Sequence, residues 1–225
     1  MTAAKTTSTG GGKMAFDPTL YLVTDRGLSL GRDLEWIVLE AVRGGVTMVQ
    51  LREKDCSTRE FIDLALRLKA ALDGSGVPLL INDRVDVALA SDADGVHIGQ
   101  SDMPYAMARA LLGPSKIIGL SAENMEQVLE AEALDIDYLA ISPVYATPTK
   151  TDTAAPFGLE GLAAAAAVSR HPLVAIGGMN AATAAGAVRS GAWGIAVVSA
   201  IMSAPDPRLA AEELFAAGTA TERGR

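Results

Sequence analysis

The sequence predicts a single α/β domain closed as a (β/α)8 barrel, the TIM-barrel architecture, on three observations. Short apolar runs rich in β-branched residues alternate with longer segments of helical period. The runs are apolar almost throughout, as in strands of a parallel sheet covered on both faces. The alternation repeats eight times within 225 residues, a length that one such barrel occupies. No G-x-G-x-x-G opens a helix after the first run, which argues against an open dinucleotide-binding sheet.

In chain order the predicted strands are 20–24, 48–52, 79–82, 95–98, 117–121, 138–141, 173–176 and 194–198. The predicted helices are 33–43, 58–72, 84–90, 103–112, 123–132, 159–169, 181–190 and 207–217. The alanine run at 163–167 is a helix former and not a site. No Pro/Gly/Ser-rich linker or charge block divides the chain, so residues 18–217 read as one catalytic barrel domain. Residues 1–17, rich in Thr, Gly and Ala, read as a disordered leader, with Met14 as an alternative start, and residues 218–225 as a frayed tail.

Composition narrows the function. With 49% hydrophobic and 20% charged residues, disorder over most of the chain is excluded. A chain of this length buries roughly 70% of its extended surface, so it folds without a disulfide or structural metal. Cys56 is the single cysteine and His97 and His171 are the two histidines, which leaves no zinc cluster. The balance of 19 basic against 27 acidic residues gives −8, which disfavours nucleic acid and anionic membranes as partners. It leaves room for a local basic pocket that takes a small phosphorylated substrate. No eighteen-residue apolar stretch and no secretory signal are present; the expected setting is the cytoplasm. Monomer and homo-oligomer both stay open.

Polar residues gather where the predicted strands end. The second leads into Gln50-Leu51-Arg52-Glu53-Lys54, the third into Asn82-Asp83-Arg84, and the fourth into His97-Ile98-Gly99-Gln100 with Asp102. The fifth ends at Ser121, the sixth enters a long loop over about 142–157, the seventh closes on Gly177-Gly178 and the eighth on Val198-Ser199. In a barrel these ends share one rim, where this architecture carries its chemistry. Period two predicts that Gln50, Arg52 and Lys54 share one face and Leu51 and Glu53 the other. Two cations and an amide converging on the mouth call for an anion. Arg offers phosphate a planar fork and Lys a point charge; a solvated loop is the alternative. Asp83 and Asp102, with Asn82 beside the first, are hard oxygen donors in the small number that holds Mg2+. Asp102 can equally cap a helix ahead of Met103-Pro104.

Gly177-Gly178 and Val198-Ser199 stand where many barrels cradle a phosphate on backbone N–H groups, although Gly-Gly is also simply a turn. Thr147-Pro148-Thr149-Lys150 reads as part of a lid, with disorder as the alternative. His97, in an apolar strand, reads as a residue hydrogen-bonded inside the barrel rather than as an acid or base. Cys56 has no His nearby and does not read as a nucleophile. No Ser/His/Asp triad can be assembled.

In combination these segments resemble the thiamine phosphate synthases. The matching pieces are Gln50 to Lys54, Asn82-Asp83-Arg84, Gly95 to Gln100 with Asp102, Gly119-Leu120-Ser121, Thr147 to Lys150, Gly158 to Leu162, Ile176-Gly177-Gly178 and Val197 to Ile201. The resemblance implies a barrel enzyme, a transferase that joins a pyrimidine diphosphate to a thiazole phosphate and releases pyrophosphate with Mg2+. It assigns Gln50, Leu51, Arg52, Glu53, Lys54, Asn82, Ser121 and Lys150 to the pyrimidine diphosphate, with Arg52, Lys54, Ser121 and Lys150 as the catalytic set. Asp83 and Asp102 would hold Mg2+; Thr147, Pro148, Thr149, Gly178, Val198 and Ser199 would hold the thiazole phosphate. Tyr145-Ala146 stands where the family more usually has Phe-Pro, Met179 where Ile is common, and 151–156 match loosely. Two competitors remain: a thiazole tautomerase, which keeps the thiazole phosphate cradle without coupling, and a non-catalytic phosphate-binding barrel.

Overall fold

The apolar runs become eight parallel strands among the described residues: β1 Leu20–Val23, β2 Met48–Leu51, β3 Leu79–Asn82, β4 Gly95–Ile98, β5 Ile117–Ala122, β6 Tyr138–Ile141, β7 Leu173–Ile176 and β8 Gly194–Val197. Each pairs with its neighbours in chain order, and β8 returns to β1 to close the barrel. The structure, a computed structural model, describes residues 16–146 and 155–220. The helices are α1 Leu34–Arg43, α2 Thr58–Leu72, α3 Val85–Ala90, α4 Tyr105–Leu112, α5 Met125–Ala131, α6 Gly158–Val168, α7 Ala181–Arg189, α8 Ser199–Met202 and α9 Pro207–Thr219.

Several helices start where a short polar side chain takes an otherwise unpaired N–H. Asp33 accepts from Trp36, Asn124 from Gln127, and Asp206 from Leu209 with Pro207 at the first helical position. Ser57 with Glu60 and Asn180 with Thr183 form reciprocal capping boxes for α2 and α7. Helix α4 starts at Tyr105 and not at 103, because Pro104 occupies the N-cap and disfavours helical geometry at Met103. Helix α9 runs on past 217: Gly218 is buried facing Thr19, so this glycine serves packing and does not stop the helix. The predicted strands at 20, 48 and 194 each end one residue early, and Val198 turns directly into α8. That four-residue helix and a 3-10 turn at Arg26–Leu28 are too short to leave a period in the sequence.

Period two sorts the strand residues into two layers. Leu20, Leu22, Val49, Leu51, Ile81 and Ile98 face the helices. Tyr21, Met48, Leu80, Ile117, Tyr138, Val174 and Ala196 fill the barrel interior. Gly119 makes room for Tyr138: a Cβ there would stand 2.0 Å from the phenol Cζ. At the N-terminal rim, Asp94 accepts the Leu79 N–H at 2.8 Å and Asp137 the Ile118 N–H at 2.8 Å. Arg109 binds Asp137 at 2.9 Å and donates to the carbonyls of Gly113, Lys116 and Asp135. Among the described residues no helix is long and apolar enough to cross a membrane.

Candidate active site

The C-terminal rim gathers the charged residues that the sequence points to. Strand β2 ends at Leu51, and beyond it the polar side chains diverge instead of sharing one face. Gln50 points inward, 3% exposed, and donates from Nε2 to Tyr21 Oη at 2.7 Å. Arg52 reaches toward β1 and meets Asp25 at 3.0 Å. Lys54 reaches toward β3 and meets Asp83 at 2.6 Å. The two cations are therefore already paired with carboxylates of the protein, which supply the anions that their convergence calls for. Leu51 is fully buried among the helices and offers no side-chain atom to the mouth. Glu53 turns back under the loop to Arg26 at 3.1 Å, and its Oε1 is buried without a hydrogen-bond partner among the described residues. Burial raises the Glu53 carboxyl above its ordinary value, against the opposing charges of Arg26 and Arg52.

Asp83 and Asp102 converge from the ends of β3 and β4, near enough for each carboxyl to influence the other electrostatically. Burial raises both; at Asp83 the hydrogen bond and charge of the Lys54 ammonium, helped by the neighbouring Asp102, outweigh it and hold this carboxyl low. At Asp102 burial and the neighbouring Asp83 charge prevail over the Gly99 N–H and hold it high. Asp102 accepts that N–H at 2.7 Å and does not cap α4, which corrects the capping alternative. Asp83 has φ +61, a left-handed conformation that a non-glycine residue adopts at a cost of roughly 1–2 kcal/mol. Such strain persists where the surroundings over-determine it, and it clusters at working sites. Asn82, nearly buried, precedes it in the interior.

A cavity of about 500 Å3 opens beside this group, lined by Asp25, Arg26, Gly27, Arg52, Glu53, Lys54 and Asp55. Asp25 and Arg26 were missed in the sequence, although they follow β1 as the other charged residues follow their strands. Asp25 also caps the 3-10 turn through the Gly27 N–H at 3.0 Å, so one carboxylate fixes the turn and the Arg52 guanidinium together.

Ser121, in β5, sits at the mouth and hydrogen-bonds His97 Nε2 at 2.8 Å; His97 Nδ1 meets Tyr138 Oη at 2.9 Å. His97 is thus the packed interior histidine that its apolar strand suggests. Burial raises the Cys56 thiol, so the lone cysteine stays protonated near neutrality and is a poor nucleophile.

On the opposite side of the mouth, Gly177 and Gly178 have φ +95 and +66. A Cβ on Gly177 would stand 2.6 Å from Pro143, and one on Gly178 2.8 Å from Tyr145. The pair is required for the β6–α6 loop to lie against β7, where Tyr145 N–H binds the Gly177 carbonyl at 3.1 Å. Val198 and Ser199 open α8 with no side-chain cap. Thr147, Pro148, Thr149 and Lys150 lie outside the described residues.

Comparison with known proteins places this geometry. Residues 20–201 match the family model for thiamine monophosphate synthase. The chain is 52% identical over 206 residues to a thiamine-phosphate synthase of Chloroflexus aurantiacus, covering 92% of this chain and 95% of that one. It is 54% identical over 196 residues to one of Vibrio parahaemolyticus, covering 87% and 96%. A solved thiamine phosphate pyrophosphorylase from Pyrococcus furiosus superposes with a TM-score of 0.82 at 39% identity, over 90% of this chain and 96% of that one. A 3-hexulose-6-phosphate synthase, at 21% identity and TM-score 0.66 over 88% and 99%, shares the fold. The chain belongs to the thiamine monophosphate synthase family and is an enzyme, a transferase.

Proposed function

We propose that the protein couples 4-amino-2-methyl-5-hydroxymethylpyrimidine diphosphate to 4-methyl-5-(2-phosphoethyl)thiazole, forming thiamine phosphate and pyrophosphate in the cytoplasm. The observation that carries this reading is the convergence of Arg52, Lys54, Asp83 and Asp102 on one mouth. The C–O bond at the pyrimidine methylene breaks as its electrons leave with pyrophosphate, and the thiazole nitrogen lone pair forms the new C–N bond. The 4-amino group donates through the ring, so a carbocation-like methylene is accessible and the thiazole nitrogen needs no activating base.

The protein's task is to bring the two rings together and to stabilise charge on the leaving group. Positioning of this kind contributes roughly 7–11 kcal/mol, and each preorganised donor about 3–4 kcal/mol. Arg52 and Lys54, now on Asp25 and Asp83, are within reach of an entering diphosphate that would compete for them. Gln50 and Asn82 lie near the ends of β2 and β3, and Ser121 near the end of β5 beside His97. Lys150 belongs to this set by its motif, and Thr147, Pro148 and Thr149 with Gly178, Val198 and Ser199 to the thiazole phosphate. Asp83 and Asp102 suit Mg2+ as two neighbouring hard oxygen donors that leave room for water and phosphate oxygens. When bound, Mg2+ neutralises charge on the departing pyrophosphate.

The test is to mix both substrates with Mg2+ and follow pyrophosphate release. Release matched by thiamine phosphate is expected. Proton exchange in the thiazole alone would point to a tautomerase, and binding without release to a regulatory barrel. Lys150→Ala is expected to abolish release while keeping the fold.

A further inference from the structure

We propose that Gln50 sets the direction of a buried hydrogen-bond chain that places the His97 ring proton on Nε2 and makes Ser121 a fixed hydroxyl donor at the mouth. The chain runs through five side chains from five strands: Gln50, Tyr21, Tyr138, His97 and Ser121. Its links measure 2.7 Å from Gln50 Nε2 to Tyr21 Oη, 2.9 Å between the two phenols, 2.9 Å from Tyr138 Oη to His97 Nδ1, and 2.8 Å from His97 Nε2 to Ser121 Oγ. Four of the five residues are buried, and Ser121 is half-buried at the open end.

The direction follows from counting protons. The Gln50 amide nitrogen only donates, so Tyr21 Oη accepts there. Tyr21 then has one proton to give, and Tyr138 Oη is its acceptor among the described residues. Tyr138, having accepted, gives its own proton to His97 Nδ1. With Nδ1 bare, the ring proton sits on Nε2 and is donated to Ser121 Oγ. The Ser121 proton is left to point away from His97, toward the mouth. The opposite direction would leave the Tyr21 hydroxyl hydrogen buried without an acceptor, a condition that native interiors avoid. Burial also keeps both phenols protonated, so neither can end the chain as a phenolate. The edge-on contact of Tyr21 with Tyr138 and the stacking of His97 on Tyr138 hold the hydroxyls in line.

The value of this order for catalysis rests on the function proposed above: a hydroxyl donor with a fixed direction is preorganised for negative charge on a leaving group. Gln50, Tyr21 and Tyr138 are positioning residues for Ser121. The tautomer does not depend on that reading and is measured first. In the full chain labelled with 15N-histidine, His97 is expected to show a bare Nδ1 and a protonated Nε2 at neutral pH. His171→Gln removes the other histidine and assigns the signals. An Nδ1–H tautomer or an imidazolium at His97 would overturn the proposal. Tyr21→Phe removes the link that carries the direction. Mixed His97 tautomers are expected, with kcat reduced about tenfold at little-changed KM, the size of one net hydrogen bond. Tyr138→Phe is the second variant should Tyr21→Phe not fold, with the same outcome expected. Unchanged tautomer and unchanged kcat in a folded variant would reduce the chain to packing. A wild-type chain with the Nε2–H tautomer that releases no pyrophosphate would sink the coupling reaction and leave the hydrogen-bond order standing.

Discussion

At the N-terminal rim, Asp94 and Asp137 bind main-chain N–H groups at the starts of β3 and β5, and the Arg109 that pairs with Asp137 is itself locked onto three carbonyls. At the C-terminal rim, Asp83 faces a half-exposed Lys54 and another carboxyl group. The residue types are the same and the partners differ. Bonds to backbone fix an acid in place for the life of the fold. Bonds to a mobile ammonium can be exchanged for those of a charged ligand. The comparison separates Asp94 and Asp137, which hold the barrel closed, from Asp83, which is available for chemistry; Asp102, with one bond to the Gly99 N–H, stands between them.

The sharpest way to break that separation is to delete one acid from each rim. Asp137→Ala leaves the half-buried Arg109 guanidinium without its carboxylate and the Ile118 N–H without its acceptor, and is expected to lower stability by about 2–4 kcal/mol, read from the urea midpoint, with near wild-type turnover per folded molecule. Asp83→Asn keeps a side chain that tolerates the φ +61 backbone and removes the charge. Pyrophosphate release is expected to fall about 10²–10³-fold with little change in the melting temperature. Equal losses of stability in both variants would erase the distinction between the rims.

Within the interior between them, Gly119→Ala forces a methyl against Tyr138 at 2.0 Å, and overpacking of this kind costs about 1–3 kcal/mol. The check is thermal unfolding. Burial raises Tyr21 and Tyr138 above the ordinary 10.0, so their contribution is complete below pH 10 and is lost as pH rises through the raised folded values. The unfolding free energy, read from urea titrations, should fall from about pH 10 upward, by up to about 1.4 kcal/mol per pH unit for each phenol, and Tyr21→Phe should flatten that slope. The smallest effect belongs to exposed Asp92, lowered to about 2 by Lys116 and Lys69. Its contribution is present above pH 4 and lost as pH falls toward 2. Asp92→Asn should shift stability at neutral pH by no more than about 1 kcal/mol.

Much of the fold was legible because burial on both faces of each strand writes a continuous apolar run into the local sequence. The rim assignment of Arg52, Lys54, Asp83, Asp102 and Ser121 was legible for a related reason: polar residues directly after such runs must lie at strand ends. Asp25 escaped notice because a single Thr-Asp-Arg step reads as an ordinary turn. Tyr21 and Tyr138 escaped because a phenol in an apolar strand passes for core, although their inward parity matches that of Gln50. The alternation that suggested a common face for Gln50, Arg52 and Lys54 failed once the strand ended at Leu51.

The sequence by itself determined the eight strand–helix repeats, their order, and which strand ends carry charge, since all of these follow from local composition and period. Only the tertiary structure decided which charge meets which. Lys54 finds Asp83 across 29 residues and His97 finds Tyr138 across 41, and closing the barrel brings such pairs within hydrogen-bond distance. Pairing energies depend on separation in space, and no local pattern encodes it.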